Sequence, residues 1–74
     1  MADQVLDAKG LNCPLPILRT KKAINQMESG QVLEVHSTDA GSVKDMEAFC
    51  NQTGHQLIKL SNLNGEFIFT IIKA

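Results

Sequence analysis

No stretch of this chain approaches the ~18 consecutive apolar residues that a membrane-spanning helix needs, so no such helix is expected. The opening Met-Ala-Asp-Gln has neither a basic n-region nor an apolar h-region, so no secretory leader is expected and the chain is read as cytoplasmic. Charge of either sign is scarce. Seven Lys and Arg stand against eight Asp and Glu, a net charge of −1. With no strongly basic patch, direct nucleic-acid binding is not expected. There are two cysteines, and they do not form a Cys-x-x-Cys pair. That disfavours a dithiol redox mechanism, and in a reducing compartment both thiols should be free. Internal repeats, linkers and low-complexity segments are also missing. Residues 1–74 therefore read as one domain. A chain this short buries only ~60% of its unfolded surface, but 43% hydrophobic and 20% charged residues are ordinary for a globular protein.

The pattern along the chain alternates strand and helix. Gln4 to Ala8 is a short strand, ended by Gly10. From Ile17 to Gln26 there is no Gly or Pro, and Ile17, Thr20, Ile24 and Met27 share one helical face. Ser29-Gly30 is expected to close that helix. Gln31 to Ser37 alternates as a strand, with Val32, Leu33 and Val35 as its apolar positions and Glu34 and His36 between. After a turn through Thr38–Ser42, in which Asp39 or Ser42 could cap, a second helix buries Val43, Met46, Phe49, Cys50 and Thr53 and ends at Gly54. Its wet side includes Lys44, Asp45 and Glu47. Gln56 to Leu63 and Phe67 to Ile72 flank Asn64-Gly65, a strong hairpin signal, and Lys59 and Lys73 should stay exposed. The expected fold is an α/β (α+β) two-layer sandwich, β-α-β-α-β-β, with two helices on one face of a four-stranded mixed sheet. Strand order does not follow from the pattern.

One short run stands apart. Gly10-Leu-Asn-Cys-Pro-Leu-Pro-Ile17 places Cys13 between the first strand and the first helix, with Pro14 and Pro16 behind it. Proline suits a first helical turn. The helix starts at Pro14, or at Pro16 with Cys13 just outside, because Leu15 precedes a proline. Either way Cys13 is close to a helix N-terminus, where the dipole and orphan N–H groups favour thiolate, the nucleophilic form. The effect of one helix end is modest, so partial ionisation is expected. The prolines remove donors, which is wrong for a phosphate cradle and right for a stiff turn that fixes one sulfur. The bland alternative for Cys13 is a small apolar filler.

Other chemistry reads more weakly. Cys50 lies among apolar helix positions and is read as a packed thiol rather than a resolving partner for Cys13. Cys13, His36, Cys50 and His55 match no zinc-module spacing, so no metal is expected. No histidine neighbours Cys13 in sequence, and a domain of this size has little room for a hydrolase cleft. Asp7 and Asp39 are too isolated for paired-carboxylate chemistry, and Asp39 is read as a turn or cap residue. Arg19 and Lys22, with Lys21 nearby, form a basic stripe on the first helix. It is either a plain solvated face or a docking surface for an acidic partner.

Leu6-Asp7-Ala8-Lys9-Gly10-Leu11-Asn12-Cys13-Pro14-Leu15-Pro16 resembles the signature of the TusA, or SirA-like, family of small sulfur carriers. Thr38-Asp39, Phe49-Cys50 and Gly54-His55 match as well, so the resemblance covers essentially the whole chain. It implies a sulfurtransferase in a weak sense. Cys13 would accept sulfane sulfur as a persulfide. On the reading of the residues themselves, Pro14 and Pro16 of the stiff turn position it, and the basic stripe with Arg19 and Lys22 is the expected partner contact. The implied donor is a cysteine desulfurase or rhodanese-like protein, and the implied acceptors are DsrE-type proteins. No cofactor is implied, and a monomer is expected. Leu15 stands where members serving transfer-RNA thiolation often carry an acidic residue, and Cys-Pro-Leu-Pro is more similar to relatives in sulfur-oxidising metabolism. The pathway, sulfur-oxidation metabolism or transfer-RNA thiolation, stays open. The alternative from another class is a non-catalytic regulatory or RNA-linked binding module.

Overall fold

Leu33 and Val35 on one strand, and Phe69 and Ile71 on another, are all completely buried, and they define the face on which the molecule is built. The computed structural model describes residues 2–74. Its elements are β1 (Gln4–Ala8), α1 (Leu15–Asn25), β2 (Val32–Ser37), α2 (Ser42–Thr53), β3 (Gln56–Leu63) and β4 (Glu66–Ile72). The sheet order is β1-β2-β4-β3. β1 and β2 are parallel, while β4 runs antiparallel to both β2 and β3. The expected two-layer mixed-sheet sandwich is therefore what forms, and β4 fills the gap between β2 and β3.

Strand alternation decides which side chains the helices cover. Leu33, Val35 and Ser37 point inward, opposite Ile71, Phe69 and Phe67 of β4. Val32, expected as an apolar position beside Val35, lies on the other parity with Glu34 and His36. α1 lies against β1 and β2, α2 lies against β3, and the helices touch each other. Ile24, Met46, Val35 and Phe69 close the space between the layers. A fully buried side chain of this size contributes roughly 1.5–3 kcal/mol, which a chain this short needs.

Two boundaries differ from the sequence reading. α1 begins at Leu15 with Pro14 as its N-cap and ends at Asn25, with Gln26 as its C-cap. Gly30 does not cap it. At φ +86° this glycine turns the chain into β2, and its N–H donates to the Lys73 carbonyl at 2.8 Å. Lys73 is not free in solvent either, because its Nζ donates to the Met27 carbonyl at 2.6 Å. Gly54 does end α2, in the left-handed region at φ +82°. Thr53, expected on the buried side, is exposed and its hydroxyl donates back to the Phe49 carbonyl at 2.6 Å. Asn64 and Gly65 form the expected tight hairpin turn, both at positive φ. A register shift between Leu57 and Lys59 turns Ile58 outward, 55% exposed.

Because β1 and β2 are parallel, the loops leaving their C-terminal ends emerge at the same end of the sheet. The first carries Cys13 and the second carries Asp39. That end is where chemistry-bearing residues from distant parts of the sequence converge.

Candidate functional site

The turn after β1 is tied to the turn after β2 by two hydrogen bonds. Gly10 N–H donates to the Thr38 hydroxyl at 2.9 Å, and Cys13 N–H donates to Oδ2 of Asp39 at 2.7 Å. Asp39 is itself held. Its Oδ1 accepts from Gly41 N–H at 3.1 Å, and its own N–H donates to the buried Ser37 hydroxyl at 3.2 Å. So the residue read as a turn or cap does make the turn, but it is not the cap of α2. It spans the two loops and fixes the backbone of Cys13.

Cys13 is exposed, with its peptide bond to Pro14 in the cis form. The two prolines play different parts. Pro16 is buried within the first turn of α1 and its carbonyl accepts from the buried Thr20 hydroxyl at 2.9 Å. Pro14 is exposed and forms part of the wall beside the sulfur. That wall belongs to a groove of about 220 Å³ between the helices, where Ile17, Lys21, Asp45 and Phe49 face Cys13.

The thiol does not find the acidifying environment that helix-end reasoning predicts. Leu15 N–H is spent on the Asn12 carbonyl and Leu18 N–H on the Pro14 carbonyl. The sulfur turns instead to α2, where Sγ donates to Oδ2 of Asp45 at 2.9 Å. That hydrogen bond is the main reason the thiol is pushed above its ordinary value. Partial loss of solvent and the charges of Asp45 and Asp39 act in the same direction. Since the residue is exposed, the carboxylate contact is the cause that matters. Asp45 was assigned to the wet side of α2 by periodicity. The topology could have found it, because parallel β1 and β2 bring the first turns of both helices to one end.

The remaining sequence candidates do not join this group. Arg19 and Lys22 are exposed on α1 and are absent from the groove wall, where Lys21 stands instead with Nζ 5.9 Å from the Phe49 ring centre. Cys50 is buried, and burial pushes its thiol up. It borders a larger cleft of about 720 Å³ with Glu47, His55 and Leu57. That cleft excludes Cys13, and the thiol on its wall is the buried one. His36 is on the open face of the sheet between Glu34 and Glu66, at 2.6 Å from each. Among the described residues no cluster of three or more His, Cys, Asp or Glu side chains is placed to hold a metal ion.

Comparison with known proteins supplies the context for this arrangement. The family model described as sulfurtransferase TusA matches residues 4–73. A sulfur carrier protein TusA from Allochromatium vinosum is 60% identical over 72 residues, 97% of this chain and 95% of that one. A putative sulfur carrier protein from Neisseria meningitidis is 53% identical over 72 residues, again 97% of this chain and 95% of its own. Among solved structures, a SirA-like protein from Desulfitobacterium hafniense superposes with a TM-score of 0.81 at 31% identity, covering 93% of this chain and 95% of that one.

Proposed function

The chain belongs to the TusA family of sulfur carriers, and from that premise we propose that Cys13 is the residue that carries the sulfur, as a persulfide. The family places the protein in sulfur transfer, with a donor and an acceptor as partners. The observation that carries the residue assignment is exposure. Of the two thiols, Cys13 is exposed on a turn braced by Asp39 and flanked by an open groove, whereas Cys50 is packed in the core. A carried sulfur must be reached by two different proteins in turn, and only Cys13 offers that access. Pro14 and Pro16 support it by fixing the turn, one at the wall and one in the core.

The partner chemistry follows from the reaction. Sulfane sulfur must come from a protein that makes or holds a persulfide, a cysteine desulfurase or a rhodanese-like protein, and must leave to a thiol such as that of a DsrE-type acceptor. Arg19 and Lys22 are exposed on α1, outside the groove wall, and suit an acidic partner surface. We place the protein in the cytoplasm, with residues 1–74 acting as one domain and as a monomer. No helix in the described residues is long and apolar enough to cross a membrane.

The test is intact and peptide mass spectrometry after incubation with a persulfide donor, comparing wild type, Cys13→Ser and Cys50→Ser. One added sulfur on the Cys13 peptide, lost in Cys13→Ser and kept in Cys50→Ser, is the expected result. Sulfur on neither thiol with several donors would overturn the assignment and put the binding-module reading first.

A further inference from the structure

Carriage by itself does not account for the carboxylate on the carrying sulfur. Asp45 comes from the first turn of α2, 32 residues away, and its Oδ2 sits 2.9 Å from Cys13 Sγ. A carboxylate can only accept, so the thiol must donate, and it must therefore be protonated. The groups facing the sulfur are Asp45 from α2, Asp39 from the β2–α2 turn and Lys21 from α1. Lys21 is in no ion pair with either acid among the described residues, and its ammonium lies 5.9 Å from the Phe49 ring centre. Among the described residues the ion pairs are those of His36 with Glu34 and Glu66. The Asp45 carboxylate thus faces the groove with the thiol as its partner and, among the described residues, no cation in ion-pair contact.

Resting on the reading of Cys13 as the carrying residue, we propose that Asp45 is a positioning residue that latches the thiol of the free carrier in its protonated, unreactive form, and that a basic side chain of the docked donor releases it by pairing with Asp45. An exposed thiolate would react with any passing electrophile or oxidant. The latch confines reaction to a docked complex.

The step balances without an outside oxidant or reductant. The thiol proton leaves Cys13, and the sulfur's electron pair forms a bond to the outer sulfur of the donor persulfide. The donor's sulfur–sulfur bond breaks, its electron pair stays on the donor cysteine, and that cysteine takes up a proton. Thiol and persulfide have exchanged places. On unloading, an acceptor thiolate attacks the outer sulfur, and the electron pair of the broken bond returns to Cys13. Cys13 regains a proton and with it the Asp45 contact.

The experiment measures alkylation of Cys13 by iodoacetamide as a function of pH in a Cys50→Ala background, with Asp45 as wild type, as Asp45→Asn and as Asp45→Glu. The Asp45→Asn midpoint should fall to lower pH, raising the rate at neutral pH roughly tenfold for each pH unit it falls. Asp45→Glu should stay near wild type. Loading from a small-molecule persulfide, which brings no cation, should be faster for Asp45→Asn. An unchanged or higher midpoint in Asp45→Asn overturns the latch. So does a wild-type midpoint at or below that of an ordinary cysteine, a reading that needs no variant to fold. Alkylation involves no sulfur transfer, so a Cys13 that is latched but never loads would sink the carrier assignment alone, and one that loads without a latch would sink this inference alone.

Discussion

The backbone N–H of Cys13 donates to the side chain of Asp39 at 2.7 Å, across a gap of 26 residues. The same carboxylate accepts from Gly41 through its other oxygen, so one side chain holds both loops at the end of the sheet that carries Cys13. This makes the placement of the Cys13 sulfur depend on a side chain 26 residues away in the sequence.

Asp39→Ala removes both bonds. Hydrogen bonds to a charged group are worth about 1.5–3 kcal/mol each when well formed, and partial exposure here pulls the pair toward about 1–2 kcal/mol in total. At roughly 4–8 °C per kcal/mol for a domain of this size, thermal unfolding should shift downward measurably. Sulfur loading of Cys13 should slow as well, because the turn is no longer held. Asp39→Asn keeps acceptor capacity and should fall between the two. A variant with wild-type melting and wild-type loading would show that the bracing is dispensable.

Phe69 is the largest fully buried side chain, and it stands between Val35 of β2 and Leu60 of β3 in the cross-strand register. Truncation to alanine should cost about 3–5 kcal/mol, a large share of the ~5–15 kcal/mol available to a typical domain. Urea unfolding should show a sharply lowered midpoint. Phe67→Ala, at a half-buried position on the same strand, should lose clearly less, and equal losses would mean that the core is centred elsewhere.

The helices were legible because a 3.6-residue period fixes a buried face regardless of what covers it. Ile17, Thr20, Ile24 and Met27 are all buried as that period requires, as are Met46, Phe49 and Cys50. The strand order was not legible, because it depends on β4 returning to a gap that no local pattern announces. The site suffered from the same blindness. Cys13 stood out through its prolines, but Asp45 looks like any wet helical position until the parallel pairing of β1 and β2 brings the two helix starts together. The expected acidic thiol failed for that reason. A helix end was weighed alone, and the neighbouring element supplies a carboxylate that outweighs it.

His36 gives the sheet a pH dependence of known sign. Its hydrogen bonds to Glu66 and then Glu34 raise it above its ordinary value against a smaller opposing effect of burial. A group raised on folding contributes stability that is fully present below its unfolded value of about 6.5 and is lost as pH rises through the folded value. His55 works the other way. Burial and the charge of Lys73 lower it, so its contribution is present above about 6.5 and lost as pH falls through its folded value. Melting temperature measured on both sides of neutrality should separate the two. His36→Gln should lower the melting temperature on the acidic side, where the contribution is present, and approach wild type on the alkaline side, so that the decline with rising pH flattens. A wild-type profile with no alkaline-side decline would contradict the raised value.

Arg19 and Lys22 test whether the outer stripe of α1 guides partners or is simply wet. Both side chains are exposed and neither lines the groove, so reversing them to glutamate should leave stability within about 0.5 kcal/mol. If an acidic donor surface approaches along this stripe, the double reversal Arg19→Glu/Lys22→Glu should slow association, and the deficit should shrink with added salt as charges beyond about 10 Å are screened at 0.1 M. Dissociation should change less, since steering acts before contact. Lys21→Ala is the informative contrast. Its ammonium meets the Phe49 ring inside the groove, an exposed cation–π contact worth about 0.5–1 kcal/mol. Its loss should lower stability slightly and persist at high salt. Stopped-flow association with a sulfur donor at two ionic strengths decides the matter. A reversal that leaves the association rate unchanged at low salt would return Arg19 and Lys22 to the plain solvated face.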